Sequence, residues 1–226
     1  MNFFKLRISL LLLLGVILLY LILLFLKVSG YVSTPIFLID LDERVMETMS
    51  LWRTSELIKI FMGATFLGAA KFVVALAAVL TVCLSLWKRS HFIVPFWIVL
   101  VGTEACVFLG KISLMRTRPD IAVYLETSAS FPSGHAAISL ALYGFLAYLL
   151  TLRFKKIVHK ILLYSLAIIL ILAVGFSRLY LGVHYLSDVI AGYALGILWL
   201  IVGMIVVKFI MLQRKKIPPS SEKYLI

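Results

Sequence analysis

Long apolar runs alternate with short polar segments along this chain, and each run has the length of a membrane-crossing helix. The first, residues 8–26, is unbroken and follows Lys5 and Arg7. It exceeds the roughly 7–15 apolar residues of a signal-peptide core and ends without a small-x-small cleavage site, so it reads as an uncleaved first span. Five more runs follow at about 67–87, 92–109, 135–152, 161–176 and 186–207. A helix needs about 20 apolar residues to cross a bilayer, so the pattern predicts six spans. Between the first two runs lies a polar segment carrying Asp40, Asp42, Glu43, Glu47 and Glu56. Within it Val45, Met46, Met49 and Trp52 recur at helical spacing, which predicts a short helix lying in the membrane interface. The expected class is an all-α polytopic membrane protein forming a single domain over 1–226. Its parts are a first span (1–28), an outer interfacial segment (29–66), a helical core (67–207) and a tail (208–226) that reads as disordered.

Composition supports the pattern and excludes the alternatives. The 226 residues are 63% hydrophobic and 14% charged, with mean hydropathy +1.12. A soluble domain is roughly 45–50% apolar and about 25% charged, so this chain has too little polar surface to dissolve. Basic residues outnumber acidic ones 22 to 10, for a net charge of +12. In a soluble chain that excess would suggest nucleic acid; here it is first a topology signal. With the N-terminus inside, the inner loops and ends hold Lys5, Arg7, Lys88, Arg89, Arg153, Lys155, Lys156, Lys160, Lys208, Arg214, Lys215, Lys216 and Lys223, with Glu222 the only acid among them. Both termini are therefore expected in the cytoplasm. Cys83 and Cys106 fall at different depths of neighbouring spans, too far apart for a disulfide, and read as small buried hydrophobes.

Topology does not account for the cations at the outer ends of spans three and five. Three polar stretches reach that face. They are Lys111-x6-Arg118-Pro119, then Pro132-Ser133-Gly134-His135, then Ser177-Arg178-x5-His184-x3-Asp188. Lys111, Arg118 and Arg178 supply donors suited to phosphate oxygens. Ser133 and Gly134 open a helix whose first amides are unpaired, at the positive end of its dipole, which makes an anion site. His184 and Asp188, four apart, share a helical face, so the carboxylate can fix the imidazole tautomer and leave the other nitrogen free to attack. His135 is placed to protonate a leaving oxygen. Taken singly, each piece has a plainer reading. The His-x3-Asp pair fits a metal, an embedded histidine is often a structural hydrogen-bonding group, and Lys111 and Arg118 could be snorkelling anchors. Together they concentrate cations that Asp188 alone cannot neutralise, which argues against a divalent metal and for a bound anion.

These motifs resemble the type 2 phosphatidic acid phosphatase superfamily. Lys111, Arg118, Pro119, Pro132, Ser133, Gly134, His135, Ser177, Arg178, His184 and Asp188 all match its pattern. Leu51-Trp52-Arg53-Thr54 and Ala64-Thr65-Phe66-Leu67-Gly68 are similar to a looser stretch of its bacterial members. The resemblance implies a metal-independent lipid phosphatase without cofactor. His184 would be the nucleophile forming a phosphohistidine, Asp188 its orienting partner, and His135 the acid and then the base. Lys111, Arg118, Ser133, Gly134 and Arg178 would hold the phosphate. It further implies a bilayer substrate such as phosphatidylglycerophosphate or undecaprenyl diphosphate, a plasma-membrane location with the site on the extracytoplasmic face, and no nucleic acid or obligate protein partner. A lipid phosphotransferase and a non-catalytic lipid-phosphate transporter are the competing classes; the paired histidines argue against the latter. Glu104 and Lys71 are expected to pair with each other or to support Lys111. Arg116 lies inside the first motif at a variable position and is not expected to be a ligand. Gly192 and Gly196 should permit close helix packing. Tyr124, Tyr180 and Tyr185 flank the site.

Overall fold

The structure, a computed structural model, describes residues 35–216 together with Gly15 and Tyr20. The first expected span and the tail beyond Lys216 thus lie outside the described residues, apart from those two positions. The described residues form seven α-helices: α1 (Ile36–Leu51), α2 (Ser55–Phe66), α3 (Ala70–Leu86), α4 (Ile93–Leu114), α5 (Gly134–Thr151), α6 (Ile157–Tyr180) and α7 (Leu186–Lys216). Four helical stretches among them, Ser90–Leu114, Gly134–Thr151, Ile157–Tyr180 and Leu186–Arg214, are long and apolar enough to cross a membrane. The pair α2 and α3, bent by 41° at a short break, makes a fifth if counted as one span.

Three helices run past the ends that hydropathy predicts. Spans read as ending at residues 109 and 176 continue as helix to Leu114 and Tyr180, and the last helix runs to Lys216, so residues 208–216 are helical and not a disordered tail. Hydropathy falls where Lys111, Ser177 and Arg178 enter, but the backbone hydrogen bonds of a helix do not depend on side-chain polarity. The interfacial segment likewise contains α2, which joins the second span.

Helix α5 is the axis of the bundle: Ala136, Ala137, Ala141, Leu142 and Phe145 are fully buried. It packs on α7 through small residues, because no hydrophobic drive separates helix from lipid and close backbone contact supplies the attraction. At Gly192 a Cβ would lie 2.5 Å from the Ser133 carbonyl oxygen, and at Gly196 one would lie 2.6 Å from that of Ala137, so both glycines act as expected. Gly102 on α4 seats the indole of Trp199 in the same manner, at 2.3 Å from a would-be Cβ. In contrast, α6 presents Leu162, Ile168, Ile169 and Leu172 outward, as a helix bordering lipid does. Cys83 and Cys106 are both free thiols.

These contacts gather the C-terminal ends of α4 and α6 and the N-terminal ends of α5 and α7 at one end of the bundle, with α1 laid across it. Two turns aim the chain there. Met115 adopts φ +43° and closes α4 with a left-handed cap, redirecting the backbone so that Arg116 and Arg118 point back over the helix ends. Gly182 has φ +68°, and a Cβ there would meet the Arg53 guanidinium at 2.2 Å. Only glycine fits that turn, which delivers His184 to the mouth of α7.

Candidate active site

All the residues expected at the site converge on this end. His184 is 1% exposed. Its Nδ1 faces Asp188 Oδ2 at 3.4 Å and Ser130 Oγ at 3.4 Å, while Nε2 lies 3.2 Å from Arg118 Nη1. One nitrogen is therefore turned to a carboxylate and the other to a cation. Burial lowers the His184 imidazole to about 4; Asp188 pulls the other way, and Arg178 and Arg118 add to the lowering. The ring is neutral at pH 7, with a lone pair free to act as a nucleophile.

Asp188 is fully buried and saturated with donors. Its Oδ2 accepts from Ser130 Oγ and, at 2.9 Å, from the Tyr185 backbone N–H, and its Oδ1 pairs with Arg116 at 2.7 Å. The Tyr185 bond is half of a capping box, in which a carboxylate at the third helical position satisfies the amide that precedes α7. The catalytic candidate is thus also the cap that starts its own helix. The next orphan donor of α7, the Ser187 N–H, goes to Asp42 Oδ1 on α1 at 2.8 Å, and Ser187 Oγ donates to Asp42 Oδ2 at 2.6 Å.

Arg116, not expected among the ligands, is the hub of this second layer. Its Nη1 donates to Asp188 Oδ1 and to Ser187 Oγ, both at 2.7 Å, and its Nη2 donates to Asp42 Oδ2 at 2.8 Å. The guanidinium also stacks 4.1 Å over the Tyr185 ring. It holds Asp188 from behind. Asp42, read only as part of an acidic outer segment, is 2% exposed. With Met46 it forms the buried face of α1, so that helix is anchored by a carboxylate as much as by its apolar stripe.

The phosphate-cradle candidates cluster beside His184. Arg118 donates through Nε to the Ser128 carbonyl at 2.8 Å and through Nη1 to the Val183 carbonyl at 2.6 Å. Lys111 Nζ donates to the Ala129 carbonyl and, at 3.3 Å, to Ser128 Oγ. Arg178, fully buried, reaches Thr65 Oγ1 of α2 at 2.7 Å and the Tyr124 hydroxyl at 2.5 Å. Ser133 precedes α5, and the amides of Gly134 and His135 have no intrahelical acceptor by helix geometry. The hydroxyl of Ser133 and Nε of Arg178 are buried with no hydrogen-bond partner among the described residues. His135, in the first turn of α5, packs against Gly68, where a Cβ would lie 3.2 Å from its Cδ2. Arg178, Glu126, His184 and Lys111 are its charged and titratable neighbours.

One residue changes the charge account. Glu126, in the loop between α4 and α5, pairs through Oε2 with Arg118 at 2.6 Å and through Oε1 with Arg178. Burial pushes its carboxyl up, but Arg178 and Arg118 outweigh that and hold it down at about 2. The cations that Asp188 alone cannot neutralise therefore meet further carboxylates of the protein: Glu126 serves Arg118 and Arg178, and Asp42 serves Arg116. Sequence reasoning missed Asp42, Ser130 and Glu126 because no motif contains them. Of the two expectations for Glu104, the ion pair with Lys71 does not form among the described residues, and the charged neighbour of Glu104 is Lys111. Of the flanking tyrosines, Tyr124 and Tyr185 contact site arginines, whereas Tyr180 ties the α1–α2 turn through Trp52 and Thr54.

The family model described as the PAP2 superfamily matches residues 9–212. The chain belongs to that family. It is 32% identical over 167 residues to phosphatidylglycerophosphatase B of Bacillus subtilis (strain 168), covering 70% of this chain and 78% of that protein. The crystal structure of the transmembrane PAP2-type phosphatidylglycerolphosphate phosphatase from Bacillus subtilis superposes with a TM-score of 0.70 at 26% identity, over 92% of this chain and 98% of that one. Aquifex aeolicus LpxE shares the fold, with a TM-score of 0.54 at 23% identity over 73% of this chain and 93% of that one. This PAP2 protein is accordingly a helical multi-pass membrane phosphatase, and the polar cluster at the end of its bundle is the candidate centre.

Proposed function

We propose that this PAP2 protein hydrolyses a phosphate from a membrane lipid in two displacements through His184. The carrying observation is the imidazole itself, buried and neutral, with Nδ1 on Asp188 and Nε2 facing the Arg118 cation. In the first step Nε2 attacks phosphorus and the bond from phosphorus to the lipid oxygen breaks, while His135 gives that oxygen a proton. In the second, water attacks phosphorus, His135 takes its proton, and the N–P bond breaks to release inorganic phosphate. Lys111, Arg118, Arg178 and the α5 N-terminus neutralise the charge on the equatorial oxygens, the larger part of phosphoryl-transfer catalysis. These fixed cations would do the work of a metal ion, so activity is expected to survive EDTA. Substrate phosphate competes with the Glu126 carboxylate for Arg118 and Arg178.

The relative's name makes phosphatidylglycerophosphate the first substrate to test. The distribution of basic residues supports a cytoplasmic-membrane protein with this site on the outer face. The test is phosphate release by purified protein in detergent without added acceptor, on phosphatidylglycerophosphate, undecaprenyl diphosphate, phosphatidate and diacylglycerol diphosphate. Turnover of at least one, abolished in His184→Ala, is expected. Turnover that appears only when an acceptor lipid is added would replace hydrolysis by transfer, and full loss in EDTA would remove the metal-free mechanism.

A further inference from the structure

At the end of the bundle opposite the site lies an apolar cavity of about 390 Å3. It opens between the end of α3, the start of α4, and the ends of α5 and α7, walled by Leu84, Phe96, Leu149 and Met211. Trp87 also lines it, and so do Arg89 and Arg153, which sit in the turns after α3 and after α5. The volume falls within the range of lipid and small-molecule pockets, and the wall is hydrocarbon. A site of this form takes a chain with a charged head.

The sign of the head follows from the surroundings. Among the described residues that build this end, 87–92, 152–160 and 205–216, there is no Asp or Glu, while Lys88, Arg89, Arg153, Lys155, Lys156 and Lys160 all occur there. The two lining guanidiniums therefore meet no carboxylate from their own segments. An arginine at a membrane boundary draws its counter-charge from the lipid when the protein offers none, and basic pockets between transmembrane helices hold anionic head groups. We infer that this cavity binds an anionic phospholipid of the adjacent leaflet, one acyl chain between α3 and the bundle and its phosphodiester on Arg89 and Arg153. The site is remote from His184, and the inference does not depend on the phosphatase reading.

Trp87 provides the readout, through fluorescence quenching in nanodiscs by brominated phosphatidylglycerol or brominated phosphatidylcholine. The signal of the cavity is the part of the quenching that Trp87→Phe removes; lipid bound at the opposite end would reach Trp52 instead. Half-maximal Trp87 quenching is expected at about a thirtyfold lower mole fraction of phosphatidylglycerol than of phosphatidylcholine, from about 1 kcal/mol for each of the two arginines near the surface. Arg89→Gln with Arg153→Gln should abolish that preference while phosphate release from the distant site continues, which also verifies folding. Arg153→Gln alone, on an exposed side chain, should remove about half of it in free-energy terms. Equal quenching by the two lipids, or a preference that survives the double substitution, would overturn the proposal and leave a cavity filled by any hydrocarbon.

Discussion

The two ends of this helical bundle solve opposite problems with the same helices. At one end, four cations and three carboxylates are packed around two histidines, and most of these side chains are tied to two or more partners. At the other, aromatic and aliphatic side chains leave a cavity, and the charges sit in the turns. The difference lies in how position is fixed. Hydrocarbon contacts are non-directional and tolerate small shifts. A buried ion pair is stabilising only when its geometry is good and its other lone pairs and protons are satisfied. The polar end is therefore the rigid end, and a single misplaced group there disturbs its neighbours.

The largest effect expected from this contrast is at the nucleophile. His184→Ala should lower phosphate release by about four orders of magnitude or more, measured as kcat on the best substrate of the panel. An active His184→Ala would end the assignment of this site. Next comes the layer behind it. Asp42→Asn removes one of the two carboxylates that hold Arg116 and weakens the external cap on α7, so Asp188 loses its backing. A fall in kcat of about 10- to 100-fold with little change in KM is expected, since misplacement of about 1 Å costs that much. A rise in KM with unchanged kcat would instead mean that α1 serves only binding.

Two subtler tests probe the electrostatics. Arg118→Gln takes away a cation that disfavours the imidazolium, so the His184 midpoint should move up from about 4 toward its ordinary value of 6.5. Imidazole NMR shifts report this directly, independent of the second ionisation of a phosphate monoester near pH 6. Because burial dominates the lowering, the rise should stop short of 6.5. Glu126→Gln removes the carboxylate that competes for Arg118 and Arg178. Vanadate or inorganic phosphate should then inhibit about fivefold more tightly, the equivalent of about 1 kcal/mol. Weaker inhibition would show that Glu126 orients the arginines and does not compete with the anion. The smallest effect belongs to the apolar end. Leu149→Ala enlarges a cavity that already exists and should leave kcat unchanged within about twofold.

The parts legible in the sequence are those with local signals. Apolar run length found four of the spans outright and a fifth as the bent α2–α3 pair, while the first lies outside the described residues; motif spacing singled out His184, Asp188, His135, Lys111, Arg118 and Arg178, which the fold gathers at one end of the bundle. Span ends were less legible, since Lys111 and Arg178 interrupt hydropathy without interrupting the helix. Asp42, Ser130 and Glu126 were missed, and so was the link from Arg116 to Asp188. Asp42 meets Arg116 across 74 residues and Ser187 across 145, and Glu126 meets Arg178 across 52. No periodicity or short motif encodes such pairings.

By itself the sequence determined that this chain is a helical membrane protein of the PAP2 kind, and which polar side chains are the candidates for its chemistry. Those conclusions follow from hydrophobic run length and residue type, which act locally. Only the tertiary structure decided which carboxylate answers which arginine. That choice depends on where loops and an interfacial helix come to rest, and buried charges make it specific because each must find its partner in space.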